Sequence, residues 1–98
     1  MIKAAFISKD VHTQSEGVRA SVNLVVHAVD TSLFILDHEL DTKLLEDEEF
    51  TIWLEVFKDE MEAPVYTNVK ANEQYGFIYL PRADCGKKLK EMDIIIPF

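Results

Sequence analysis

Ninety-eight residues with eighteen acidic and ten Lys or Arg side chains carry a formal net charge of −8 at pH 7. That length suits one domain over residues 1–98, and a hydrophobic share of 48% with a mean hydropathy of −0.02 supplies a core, which excludes global disorder. The acidic excess excludes generic binding to duplex nucleic acid, where Lys and Arg must neutralise phosphates.

In chain order, residues 2–9 predict a short strand. Residues 10–17 are polar and end in Gly17, which reads as a loop. In residues 18–29 the even positions Val18, Ala20, Val22, Leu24, Val26 and Ala28 are apolar, and Arg19, Ser21, Asn23 and His27 are polar. That period of two predicts a half-buried strand forming an antiparallel hairpin with residues 2–9. Leu33–Leu36 predicts another short strand, followed by a helical turn over residues 42–47 capped by Asp41. Phe50, Ile52, Leu54 and Val56 alternate with Thr51, Trp53, Glu55 and Phe57, which predicts a strand rich in β-branched and aromatic residues. Residues 58–64 read as a turn, and residues 64–70 and 74–80 as strands. Residues 81–90 read as a loop or short helix, and residues 91–96 as a final strand. The expectation is a mostly β domain, a small antiparallel sandwich or partly open barrel. It has six to seven short strands and at most one short helix.

The charge is concentrated. Residues 37–62 hold eleven acids against Lys43 and Lys58, a net of −9, and the remaining residues sum to +1. The acids are Asp37, Glu39, Asp41, Glu46, Asp47, Glu48, Glu49, Glu55, Asp59, Glu60 and Glu62. Such a block can be a solvated face, or a metal site in which Asp37, Glu39 and Asp41 share one strand face. It can also imitate nucleic-acid phosphates toward a protein with a basic cleft. No EF-hand spacing is present, and His12, His27 and His38 form no zinc-type pair, so no metal or cofactor is expected.

Cys85 is the single cysteine, which excludes an internal disulfide and fits a reducing compartment. It lies between Asp84 and Gly86 with Lys87 and Lys88 behind, and it has no histidine beside it in sequence to activate it. Serine elbows and glycine-rich phosphate loops are absent, so the chain reads as non-enzymatic. The first residues lack the long apolar stretch of a secretory signal, and no segment reaches the roughly 20 apolar residues of a membrane span. A cytoplasmic protein is expected.

Tyr75, Phe77 and Tyr79 fall on one face of the strand expected over residues 74–80, with Arg82, Lys87, Lys88 and Lys90 following. Alternating aromatics beside basic residues can stack single-stranded bases, or the rings can line a core. Ile78-Tyr79-Leu80-Pro81, Gly86-Lys87-Lys88-Leu89 and Asp93-Ile94-Ile95-Ile96 resemble the strand–Pro–turn–Gly–strand half of AbrB-like swapped-hairpin DNA-binding domains. That resemblance covers about 20 residues and implies a dimeric transcription regulator. The long acidic segment is foreign to such domains. The ending Ile96-Pro97-Phe98 is similar to the tail tip of bacterial single-stranded DNA-binding proteins, although here three isoleucines stand where those proteins have a flexible acidic linker.

The functional expectation is a small acidic binding protein whose eleven carboxylates meet a basic protein surface. In general character it resembles the phage- and mobile-element inhibitors that occlude nucleic-acid-binding proteins. The alternative is a nucleic-acid-binding or AbrB-like module using the C-terminal aromatic and basic residues. A homodimer is compatible with either, since Ile94-Ile95-Ile96 is an apolar run on a strand that could lie at a sheet edge.

Overall fold

The structure, a computed structural model, describes residues 2–8, 19 and 30–97. Five strands form one sheet: β1 (Lys3–Ser8), β2 (Asp30–Ile35), β3 (Val65–Thr67), β4 (Ile78–Tyr79) and β5 (Ile94–Pro97). Their spatial order is β4-β3-β2-β1-β5, and every neighbouring pair is parallel. Among the described residues, the α-helices α1 (Glu48–Glu55) and α2 (Arg82–Lys90) accompany the sheet. So do 3-10 turns at Thr42–Glu46 and Lys70–Tyr75 and a π-helical turn at Val56–Glu60.

This α/β architecture overturns the expected antiparallel sandwich or barrel. Parallel neighbours cannot be joined by tight hairpins; they need crossovers, which lay helices on the sheet and bury its strands on both faces. The unbroken apolar runs Ala4–Ile7 and Leu33–Leu36 are the sequence trace of that burial. β1 has β2 along one edge and β5 along the other, both parallel, in place of the expected hairpin partner. Of residues 18–29 only Arg19 is described, in helical backbone; the rest of that expected strand lies outside the described residues.

Side chains of successive strand residues diverge to the two sheet faces. On one face Phe6, Leu33, Ile35 and Val65 pack against Phe50, Leu54 and Phe57 from α1 and its π-helical extension. On the other, Ala5, Ile7, Phe34 and Leu36 pack against Cys85, Leu89 and Met92 in and beyond α2. Phe34 and Tyr66 meet there with ring centroids 5.0 Å apart. The connection from β2 to β3 therefore covers one face, and α2 covers the other.

The strand expected over residues 50–57 is helical instead. The same letters satisfy two periods: Phe50, Ile52, Leu54 and Val56 alternate, but Phe50, Leu54 and Phe57 are also spaced i, i+4, i+7. Helical spacing wins, with Phe50, Leu54 and Phe57 buried and Ile52 52% exposed. The local reason is the start signal. The Asp47 carboxylate accepts from the backbone N–H of Glu49 at 2.9 Å and of Phe50 at 3.4 Å, and Glu48 and Glu49 place negative charge at the positive end of the helix. The 3-10 turn at Thr42–Glu46 is capped as expected, Asp41 accepting from the Lys43 N–H at 3.0 Å. Residues 81–90 form the helix rather than the loop of the two expected forms, and β5 matches the expected final strand in place.

The strand expected over residues 74–80 shrinks to Ile78–Tyr79, because Lys70–Tyr75 winds into a 3-10 turn ended by Gly76. Gly76 has a φ of +81°, and a Cβ there would come within 3.0 Å of Lys58 Nζ, so glycine is needed for the turn. β4 and β5 then lie at opposite edges of the sheet, which separates the segments that resemble a swapped hairpin.

Phe57→Ala is expected to cost about 3–5 kcal/mol, as a fully buried ring lost from the core, and Asp47→Ala about 1 kcal/mol, as a lost cap. Urea unfolding midpoints check this. If Asp47→Ala were the more damaging of the two, α1 would not be held mainly by its buried face.

Candidate functional site

The acidic residues divide into those engaged by the fold and those that are not. Asp41 and Asp47 cap helical turns. Glu49 Oε1 accepts from Arg19 at 2.8 Å and from Trp53 Nε1 at 3.4 Å, and Asp59 pairs with Lys58 at 3.0 Å. Both of these ion pairs are solvent-exposed and add little stability. Glu46, Glu48, Glu55, Glu60 and Glu62 are exposed and pair with no cation among the described residues.

On α1 this division has a simple geometry. Glu48, Ile52 and Glu55 are spaced i, i+4, i+7 and form one exposed stripe, on the side opposite Phe50, Leu54 and Phe57. Leu45 before the helix and Met61 after its π-helical extension are exposed apolar residues on the same segment. The result is an apolar residue, Ile52, between two carboxylates, with Glu46, Glu60 and Glu62 at the two ends. The strand expected here placed Ile52 on one face with Phe50, Leu54 and Val56. The helical period is the signal that would have placed it outside.

Asp37 and Glu39 do not lie on a strand face with Asp41, since β2 ends at Ile35. Asp37 sits just beyond β2 in the left-handed region, with a φ of +66°. Its N–H donates to Asn68 Oδ1 at 2.8 Å, and its carboxylate accepts from Asn68 Nδ2 at 2.9 Å and from Arg82 Nη1 at 2.8 Å. Glu39 is exposed. His38 Nδ1 lies 2.7 Å from the Leu36 carbonyl; a carbonyl only accepts, so Nδ1 carries the hydrogen, and Nε2 is buried with no partner among the described residues. Among the described residues, no three His, Cys, Asp or Glu side chains converge as a metal-ligand set.

This loop is held by Asn72, which is fully buried and was not singled out by the sequence pattern. Its Oδ1 accepts from the Leu40 N–H at 2.9 Å, and its Nδ2 donates to the His38 carbonyl at 3.1 Å and to Thr67 Oγ1 at 3.0 Å. One amide thereby satisfies two backbone groups of a loop that follows β2 and a hydroxyl at the end of β3.

The C-terminal residues are not brought onto one platform. Tyr75 ends a 3-10 turn, Phe77 is 4% exposed within the core, and only Tyr79 stands exposed on β4. Arg82 is engaged by Asp37, and Lys88 Nζ lies over the Tyr66 ring at 5.6 Å. Lys87, Lys88 and Lys90 occupy the last turn of α2, where cations offset the negative end of the helix dipole. No helix among the described residues is long and apolar enough to cross a membrane.

No protein-family model matches this chain, and comparisons with curated proteins and with solved structures also return no match.

Cys85 is buried under the sheet, its Sγ 3.5 Å from the Leu80 carbonyl. Burial pushes its thiol above the ordinary value of 9.0, and the carboxylates of Asp84 and Asp37 add to the rise. A raised value favours the neutral thiol, so its contribution to stability is complete below the ordinary value and is lost as pH climbs through the folded value. Alkylation by iodoacetamide at pH 8 should run at least about tenfold slower in the native protein than in urea. Comparable rates in the two states would show the thiol accessible.

Proposed function

We propose that this protein is a non-enzymatic binding protein whose acidic face on and around α1 docks onto a basic protein surface, such as the nucleic-acid-binding face of a partner. The observation that carries this reading is the exposed stripe Glu48–Ile52–Glu55 with Glu46, Glu60 and Glu62 about it, five carboxylates that no described cation neutralises. Concentrated like charge raises the energy of the free protein, and a basic partner relieves it while the local field speeds encounter. Ile52 and Leu45 give such an interface apolar contact area within a charged rim. Occlusion of a nucleic-acid-binding protein, the mode of small phage- and mobile-element inhibitors, is the form of action this charge arrangement suits best.

Charge reversal tests the proposal cleanly only at positions the fold does not use. Asp47 and Glu49 are left in place because they cap α1 and engage Arg19 and Trp53. Glu48 is also kept, because it supports the start of α1, and the variant Glu46→Lys, Glu55→Lys, Glu60→Lys, Glu62→Lys should keep the native circular dichroism spectrum. In pull-downs from host lysate, wild-type protein should retain a nucleic-acid-binding protein whose recovery falls with added salt, and the variant should retain it about tenfold less. Equal recovery by the two proteins would contradict the acidic-face mechanism.

A further inference from the structure

The carboxyl ends of β1, β2 and β3 open onto a cleft of about 190 Å3, on the sheet face covered by α2 and away from α1. Its walls are apolar where Ile7, Leu36 and Leu89 meet, and polar at one end, where Asp37, Asn68 and Arg82 are joined. In open parallel sheets ligands bind outside the carboxyl ends of the strands, near the place where strand order reverses. Here the order reverses between β1 and β5, and the cleft lies beside that place, at the carboxyl ends of β1, β2 and β3.

Gly86 also lines this cleft, and the fold gives no reason for a glycine there. It sits inside α2, where glycine is the poorest helix former after proline. Its φ is not left-handed, and a Cβ added to it would meet no atom within 4 Å. Neither backbone geometry nor the space around a Cβ excludes a side chain there. What the glycine does is leave the wall of the cleft bare, so that a flat group can lie against the helix backbone.

The charge balance of the cleft narrows what fits. Asp37 and Arg82, the charged residues that line the cleft, pair at 2.8 Å. An entering anion would have to draw Arg82 away from Asp37, and an entering cation would compete with Arg82 for Asp37. An uncharged molecule meets neither obstacle. Arg82 reaches Asp37 through Nη1, and its guanidinium carries further N–H donors for an acceptor atom. The volume is below the roughly 300–1,000 Å3 of sites for drug-sized molecules, so the ligand is a single ring system with a short substituent.

We propose that this cleft is a binding site for a small uncharged aromatic or heteroaromatic amide. The ring lies between Gly86 and the side chains of Ile7, Leu36 and Leu89, and the amide oxygen accepts from Arg82. The site is independent of the acidic face.

Two-dimensional 15N NMR on the full chain, titrated with benzamide and separately with benzoate, tests it. Benzamide should shift the amides of Leu36, Asn68 and Gly86, and benzoate should bind more weakly. Gly86→Leu should melt at no lower temperature than wild type and abolish the benzamide shifts. Arg82→Met should weaken benzamide about tenfold, the loss of a hydrogen bond from a charged donor. Any one of four results overturns the proposal: no benzamide response in the wild type, benzoate binding as well as benzamide, shifts that persist in Gly86→Leu, or a lower melting temperature for Gly86→Leu.

Discussion

Ala5, Ile7 and Phe34 point to one side of the sheet, and Phe6, Leu33 and Ile35 to the other; all six are buried. The remaining architecture depends on this two-sided burial of β1 and β2. A sheet with two apolar faces cannot leave either to water, so each must carry a covering layer. One layer is built from α1 and its π-helical extension, the other from α2. Each large side chain buried in this way contributes about 1.5–3 kcal/mol, which outweighs the local alternation in residues 50–57.

The acidity follows from the same constraint. A helix that buries Phe50, Leu54 and Phe57 must turn its remaining residues to solvent, and in α1 these include Glu48, Ile52 and Glu55. The negative segment is thus the outer surface of a covering layer. Two of its members, Asp41 and Asp47, hold the local structure by capping, so the fold and the charge pattern share residues without sharing all of them. The loop beyond β2 is handled differently. It is fixed from within by Asn72 and from outside by the Asp37 contacts with Asn68 and Arg82, which ties the ends of β2 and β3 to the start of α2.

The concentration of charge, the capped turn after Asp41, the final strand and the positions of β1 and β2 could all be read in the sequence, because each rests on neighbours along the chain. Strand direction could not, since parallel and antiparallel strands differ in how distant segments connect. The runs Ala4–Ile7 and Leu33–Leu36, apolar on consecutive residues, carried the hint of burial on both faces, against the alternation weighted more heavily elsewhere. Phe50–Phe57 was ambiguous by its letters alone, and the Asp47-Glu48-Glu49 start signal resolves it. The cleft lay beyond reach. Ile7, Leu36, Asn68 and Gly86 come from four separate stretches, and nothing local marks them as neighbours.

The central claim is that Glu46, Glu48, Glu55, Glu60 and Glu62 together add no net stability to the fold and so are available to a partner. Glu48 lies near the favourable end of the helix dipole and Glu55 near the unfavourable end, so their effects on α1 offset each other to within about 1 kcal/mol. The most direct measurement is the low-salt melting temperature of a variant with Glu46, Glu48, Glu55, Glu60 and Glu62 all changed to Gln. The account predicts melting at or above the wild-type temperature, because mutual repulsion is removed and no described ion pair is broken. A melting temperature several degrees lower would show that these charges hold the fold together, and the claim would fail.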